Sequence, residues 1–98
     1  MKNQIILAGI LLNNPIIQKT KNGKEFIVLE IEVKREITSN IVDIFKCISM
    51  NTSIRSNCKI GDLIEIKGKL YSENSRINNR THFAIIVTNI KILYQLQK

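Results

Sequence analysis

The sequence predicts an all-β protein, and three observations support this class. Apolar and polar residues alternate in several segments, and a period of two is typical of strands with one buried face. Isoleucine fills most apolar positions, and β-branched side chains favour strands. Turn-forming pairs such as Asn22-Gly23 and Gly61-Asp62 separate the segments. At 98 residues the chain has room for one modest core, so we predict a single domain at residues 1–98.

One predicted strand occupies residues 63–71 and follows the turn at Gly61-Asp62. Its alternation divides the side chains into two faces: Ile64, Ile66 and Leu70 toward the core, and Glu65, Lys67, Lys69 and Tyr71 toward solvent. Gly68 interrupts the apolar face. A glycine inside a strand marks a sharp bend or a close approach of another backbone, and small barrels need such bends. We therefore predict a barrel with two lysines and a tyrosine on the outer side of this strand.

Four other strands are predicted at residues 3–12, 25–35, 44–50 and 82–93. The first is apolar almost throughout, and an extended segment follows at residues 16–20. The second directs four apolar side chains inward: Ile27, Leu29, Ile31 and Val33. Periodicity alone does not decide which face of residues 44–50 is buried. Residues 51–58 are the candidate helix, capped by Thr52 or Ser53, and residues 72–81 predict a projecting hairpin loop.

Five strands with at most one short helix between the third and the fourth is the layout of the OB-fold. This partly open Greek-key barrel binds oligonucleotides or oligosaccharides on its outer face and loops. The net charge of +7, from 15 Lys and Arg against 8 Asp and Glu, favours an acidic partner such as nucleic acid. We therefore expect Lys67, Lys69 and Tyr71 to face a polyanion. The alternative is a basic surface that only keeps the protein in solution.

The sequence contains no pattern that is typical of an enzyme. No pair of carboxylates suits general acid and base work, no Ser-His or Cys-His arrangement indicates a nucleophile, and no glycine-rich phosphate loop precedes a helix. Cys47, Cys58 and His82 are too few for a zinc site, and two free thiols suit a reducing compartment. We predict no enzyme, no cofactor, no metal and, in the absence of a long apolar stretch, no membrane association.

Several short patterns occur in a defined order along the chain. They are Asn3-x-Ile-Ile-Leu-x-Gly-x-Leu, Pro15, the Asn22-Gly23 turn, Asp43-Ile-Phe-Lys-Cys-Ile and Lys59-x-Gly-Asp-x-Ile-x-Ile-x-Gly-x-Leu. Together they resemble the bacterial single-stranded DNA-binding protein family, including its short primosomal replication protein B branch. The resemblance covers nearly the whole chain. It implies non-catalytic binding of single-stranded DNA, largely independent of base sequence, in DNA replication or repair.

The resemblance also implies a binding surface, position by position. It places Ile44, Lys46, Ile48 and Met50 on the DNA side of the third strand, and Phe45 and Cys47 in the core. The implied nucleic-acid-binding residues are Lys34, Arg35, Ile44, Lys46, Met50, Lys67, Lys69, Tyr71, Arg76 and Arg80.

The chain departs from the family where large aromatic side chains stack on bases. Ile37, Ile44, Met50 and Ser75 stand at those positions. Stacking contributes about 1–3 kcal/mol per base, so we expect binding to be mainly electrostatic, with help from Tyr71 and apolar contacts. We expect no acidic recruitment tail. Phe26, Phe83 and Tyr94 are expected in the core or at a subunit contact, and His82 is expected to carry no chemistry.

The resemblance implies a homodimer or homotetramer joined through first strands. Residues 5–12 are more apolar than one core needs, which agrees with such a contact. Two other functions remain open: a protein-interaction subunit of a replication assembly, favoured by the sparse aromatics, and RNA binding by the same barrel. The abundance of Ile, Asn and Lys indicates an AT-rich coding genome, such as that of a mollicute, a plastid or a mobile element. We expect the protein in a bacterial cytoplasm or nucleoid or, if it is encoded by an organelle, in an organelle such as a plastid.

Overall fold

In the computed structural model, which describes residues 3–74 and 81–96, the alternating segments form strands around one core. The side chains at positions 73, 74, 81 and 82 are not described. The strands are β1 (Ile5–Leu11), β2 (Ile16–Lys19), β3 (Glu25–Lys34), β4 (Val42–Ser49), β5 (Leu63–Asn74) and β6 (Thr81–Tyr94), with a 3-10 helix, η1, at Thr52–Ser56 between β4 and β5.

The strands form one sheet in the order β1-β5-β6-β4-β3-β2, and a further pairing between β1 and β3 closes it into a barrel. The closing pairs are Ile10 with Glu32 and Leu11 with Ile31. Every pairing is antiparallel except that of β4 with β6. This is the Greek-key barrel of the OB-fold. The predicted fold class is confirmed.

The break between β1 and β2 is built by asparagine side chains. Asn13 Oδ1 accepts a hydrogen bond from the Glu30 backbone N–H at 2.7 Å, and its Nδ2 donates to the Val28 carbonyl at 3.1 Å. Asn14 Oδ1 accepts from the Ile60 N–H at 2.9 Å. These bonds replace main-chain pairing where Pro15 cannot donate. Because of this break the predicted five strands are six.

The core consists of inward side chains from β1, β3, β4, β5 and β6. The fully buried members are Leu11, Ile27, Leu29, Ile31, Cys47, Ile64, Ile66 and Ile85. The predicted inward face of β3 is confirmed. Burial of each such side chain contributes about 1.5–3 kcal/mol relative to exposure.

Leu70 is the exception to the predicted faces of β5, since 36% of its surface is exposed. The β1 ladder reaches only Gly68 on β5, whereas β5 and β6 stay paired out to Asn74 and Thr81. The two strands therefore continue beyond β1 as a two-stranded ribbon, and Leu70 is only partly covered although it pairs with the buried Ile85. Strand structure also extends into the predicted loop at residues 72–81, of which residues 75–80 lie outside the described part.

Gly68 and Gly9 mark places where two backbones come very close. A Cβ at Gly68 would collide with the carbonyl oxygen of Ile86, and one at Gly9 would collide with that of Glu32. The register of β5 against β6 also shifts beside Gly68. Close backbone approach is therefore the reason for the glycine that interrupts the apolar face of β5.

The helix is shorter than predicted and differently capped. η1 begins after Asn51, whose Oδ1 accepts hydrogen bonds from the Ser53 N–H at 3.1 Å and the Ser53 hydroxyl at 2.6 Å. The predicted caps Thr52 and Ser53 are wrong, because both already lie within the helix. No helix in the described ranges is long and apolar enough to cross a membrane.

Two aromatic residues occupy unexpected positions. Phe83 is 63% exposed and Tyr94 is 66% exposed, so neither belongs to the core. Phe83 lies on the ribbon opposite Ser72, beyond the β1 ladder, and Tyr94 ends β6 opposite Leu63. Their alternative role at a subunit contact stays a prediction, whereas Phe26 is half-buried.

Candidate nucleic-acid interface

The outer side of the sheet carries a continuous line of aliphatic side chains. Ile86 on β6 pairs with Ile48 on β4, Ile48 pairs with Val28 on β3, and Val28 pairs with Ile16 on β2. Directly paired residues place their side chains on the same face of a sheet. We call Ile86, Ile48, Val28 and Ile16 the aliphatic row. Lys69 on β5 pairs with Ile86 and ends the row on one side, about 19 Å from Ile16 at the usual strand spacing.

The row is partly open to solvent. Ile16 is 60% exposed and the other three members are half-buried. The same face continues along β4 through Ile44 and Lys46 to Met50 just beyond the strand, while Phe45 and Cys47 turn toward the core. This settles the orientation that periodicity left undecided. Cys47 is fully buried, and burial raises the pKa of its thiol to about 12.

Tyr71 and Lys69 lie on the same outer surface as Lys46. Tyr71 on β5 pairs with Ala84 on β6, two residues along the strands from the pair of Lys69 with Ile86. Lys46 precedes Ile48 by two residues on β4, so one strand separates it from Lys69 and Tyr71. At ordinary strand dimensions the backbones of Lys46 and Lys69 are about 12 Å apart. The lysines and the tyrosine therefore share one surface.

Acidic side chains adjoin this surface on β3. Lys46 pairs directly with Glu30, and Ile44 pairs with Glu32. Glu30 is exposed and Glu32 is half-buried. A carboxylate opposite Lys46 weakens the attraction that this lysine exerts on a phosphate. Lys69, at one end of the aliphatic row, pairs with Ile86 and has no carboxylate directly opposite it.

The predicted site residue Arg35 has an acidic partner. Its Nε lies 3.0 Å from Asp43 Oδ2, and its Nη2 lies 3.0 Å from Asp43 Oδ1. The hydrogen bond and the charge of Asp43 raise the pKa of the Arg35 guanidinium. The Arg35 N–H also donates to the Ile41 carbonyl at 3.1 Å, so Arg35 fastens the base of the loop between β3 and β4. Its contact with nucleic acid stays a prediction.

The remaining predicted site residues fall into three groups. Lys34 is exposed at the end of β3, and Ile44, Met50 and Tyr71 expose 59%, 44% and 48% of their surfaces. Lys67 is half-buried and pairs with Ile6, where the sheet passes from β5 to β1. Arg76 and Arg80 lie outside the described residues.

Two features of this surface were not among the predicted site residues. One is the aliphatic row, of which Ile48 alone was expected on the DNA side. The signal for Val28 is an apolar residue in the outward series that continues with Glu30, Glu32 and Lys34. The other is a cluster of exposed lysines at the turn between β2 and β3: Lys19, Lys21 and Lys24. Their signal is three lysines around Asn22-Gly23, where Gly23 has φ +83° and the Gly23 N–H donates to the Thr20 carbonyl at 2.9 Å.

The lysine turn lies at the far end of the outer face from Lys34. Ile27 near the start of β3 pairs with Ser49 at the end of β4, so the turn adjoins Met50. Positive charge therefore stands at both ends of β3, a strand about 33 Å long. Within the described ranges, no group of three or more His, Cys, Asp or Glu side chains is placed to hold a metal ion.

An OB-fold barrel with aliphatic and lysine side chains on its outer sheet is the class of protein that this geometry defines. No protein-family model matches the sequence, and no curated protein matches it. Among solved structures, the mitochondrial single-stranded DNA binding protein Rim1 of S. cerevisiae is similar over 99% of this chain and 100% of that chain, with a TM-score of 0.83 and 10% identity. A selenomethionine-labelled crystal of Rim1 has a TM-score of 0.81 at the same identity.

A third similar structure is the Plasmodium falciparum SSB in complex with ssDNA. It has a TM-score of 0.75 and 16% identity, and the match covers 95% of this chain and 96% of that one. At these identities the likeness establishes a shared fold over almost the whole described chain. The primosomal replication protein B branch stays a prediction.

Proposed function

We propose that this protein binds single-stranded DNA on the outer face of its barrel. The observation that carries the proposal is the aliphatic row with exposed lysines beside it, on the sheet face that OB-folds use for oligonucleotides. The proteins with similar structures support it, since they are single-stranded DNA-binding proteins and one is in complex with ssDNA. Binding of this kind serves DNA replication or repair, which is part of the proposal.

Different side chains of the surface contact the phosphates and the bases. Lys69 and Lys46 attract the backbone, and each phosphate that a lysine neutralises releases counterions. The unpaired bases of a single strand contact Ile86, Ile48 and Val28 through a face or an edge, and Tyr71 stacks on a neighbouring base. Aliphatic side chains form no hydrogen bonds with base edges, so binding depends little on base sequence. Paired bases are hidden within a duplex, so a duplex gains only the electrostatic part.

A second candidate function is that of a protein-interaction subunit. Apolar side chains exposed on a sheet also suit a partner protein. The aromatic residues of the described outer face near the row are Tyr71 and the half-buried Phe26, which precedes Val28 by two residues on β3. Charge reversal distinguishes the two functions. If the aliphatic row serves only to bind a partner protein, the chain either does not bind oligo-dT or binds it with an affinity that the lysine substitutions do not change.

Replacing Lys46 and Lys69 together by glutamate tests the proposed function. We expect the dissociation constant for a fluorescein-labelled oligo-dT to rise by about 10- to 100-fold at moderate salt, because two phosphate contacts become repulsive. Fluorescence anisotropy titration measures it. Lys59→Glu is the control for a single charge reversal, since Lys59 is exposed in the connection before β5 and lies outside the strands that carry the row. An equal loss in Lys59→Glu, or no loss in the double variant, contradicts the site.

We also propose that the protein forms a homodimer or homotetramer through β1. The outward side chains of β1 are Ile6, Ala8 and Ile10, and Ile6 and Ile10 expose 56% and 40% of their surfaces. The inward side chains Leu7 and Leu11 already contribute to the core. The apolar surplus of this strand is therefore on its outer side, where a second subunit would cover it.

A further inference from the structure

The part of the outer face that meets the bases has an unusual chemistry for a nucleic-acid surface. Ile86, Ile48 and Val28 pair across three neighbouring strands, so their side chains form one aliphatic floor about 10 Å wide. Ile44 and Met50 lie on the same face along β4, at 59% and 44% exposure, with Lys46 between Ile44 and Ile48. All five side chains end in methyl groups. The floor therefore presents hydrocarbon to a bound base.

Hydrocarbon discriminates by apolar area alone. Burial of apolar surface is favourable in proportion to the area removed from water, and aliphatic side chains offer neither hydrogen-bond donors nor acceptors. Among the common pyrimidines, thymine differs from uracil by one methyl group at C5. Proteins that read thymine contact this methyl with apolar side chains. A methyl laid on the floor adds contact that uracil lacks.

We propose that the aliphatic row reads the C5 methyl group of thymine and so favours thymine over uracil, independently of the sugar. The inference rests on the proposed function and names the feature of the strand that the row recognises. It yields a preference for DNA over RNA that comes from the base. The bias is a few-fold preference and not recognition of a sequence, because the floor makes no directional bonds.

The size of the effect follows from burying one methyl group. Burial of a methyl-sized apolar group corresponds to about a fourfold change in affinity, which is ~0.8 kcal/mol. A floor about 10 Å wide holds one or two bases, so the expected ratio lies between about 4 and 15. The ratio has no charge component. Salt therefore weakens the binding of both oligonucleotides and leaves their ratio unchanged.

Four homopolymers of equal length separate base from sugar. They are 15-mers of deoxythymidine, deoxyuridine, ribothymidine and uridine, each with the same fluorescent label and titrated by anisotropy at two salt concentrations. We expect thymine to bind about four- to 15-fold more tightly than uracil in both the deoxy and the ribo pair. Binding of the deoxy pair with equal affinity overturns the inference alone. Failure of all four to bind overturns the proposed function as well.

Variants assign the preference to the row. Ile48→Thr and Ile86→Thr keep the β-branched shape that suits a strand and replace a hydrocarbon branch by a hydroxyl. We expect the thymine-to-uracil ratio to fall toward one in each, while binding to both oligonucleotides persists through the lysines. Ile60→Thr is the matched control, because Ile60 is 50% exposed in the turn before β5. A ratio that is unchanged in both row variants, or reduced equally by Ile60→Thr, overturns the assignment to the row.

Discussion

Gly68 is the residue on which the closeness of β5 and β6 depends most directly. Any Cβ there would meet the Ile86 carbonyl oxygen and would lie 2.8 Å from Ile85 Cγ2, and Ile85 is fixed in the core. The same contact brings Lys69 beside Ile86 on the outer face. A glycine at this position therefore links the packing of the core with the placement of a predicted binding residue.

Gly68→Ala is expected to destabilise the protein by about 1–3 kcal/mol, because a backbone carbonyl and a buried isoleucine must move to make room. Urea unfolding followed by circular dichroism, at equal protein concentrations, gives the free energy of unfolding. Ser72→Ala is the control, since Ser72 is exposed farther along β5 and an exposed substitution changes stability by about 0.5 kcal/mol or less. Equal stability of Gly68→Ala and the natural protein would contradict the close approach.

At the residue scale the sequence predicted the kinds of side chain on each face but not their partners. A period of two identified Lys67, Lys69 and Tyr71 as outward, because alternation is a property of one strand. That Glu30 faces Lys46, or that Asp43 engages Arg35, depends on the register between two strands. Alternation along a single strand does not contain that register.

At the scale of elements, β1 has a face that the barrel leaves uncovered. The surplus of apolar residues in this strand is visible in the sequence, and the structure locates it at Ile6, Ala8 and Ile10. The ribbon made by the ends of β5 and β6 was not predicted from the sequence, because a strand that extends beyond the barrel keeps the same alternation. Leu70 was assigned to the core for that reason. The predicted helix caps differ from the observed cap Asn51 by one and two residues, and errors of this size are common at helix ends.

Ile6→Glu tests the role of β1 in assembly. Light scattering after size-exclusion chromatography is expected to give two or four times the chain mass of 11.3 kDa for the natural protein, and the chain mass for the variant. Ile6 is 56% exposed and pairs with Lys67, so a glutamate there is tolerated within one chain and carries charge into a subunit contact. The control Ile37→Glu changes a residue that is 95% exposed in the loop after β3 and should leave the mass unchanged. A natural protein at 11.3 kDa would refute the assembly.

On the scale of the whole molecule, the order of the elements was enough to predict the fold. Five strands and one short helix in the right place have few ways to close a barrel without crossing connections. The charge distribution of the outer face was predicted less accurately than the fold. Only the strand pairing shows that β3 brings Glu30 beside Lys46, while β5 brings Lys69 and Tyr71 to the same surface.

We expect one outer face to bind an unpaired strand through both charge and apolar contact. A titration of a labelled oligo-dT and of a duplex of equal length, each over a series of salt concentrations, tests this expectation. Oligo-dT should bind more tightly than the duplex at every salt concentration, with an affinity that falls as salt rises and a difference from the duplex that persists at high salt. Equal affinity for the two, or an affinity for oligo-dT that salt does not change, would contradict it.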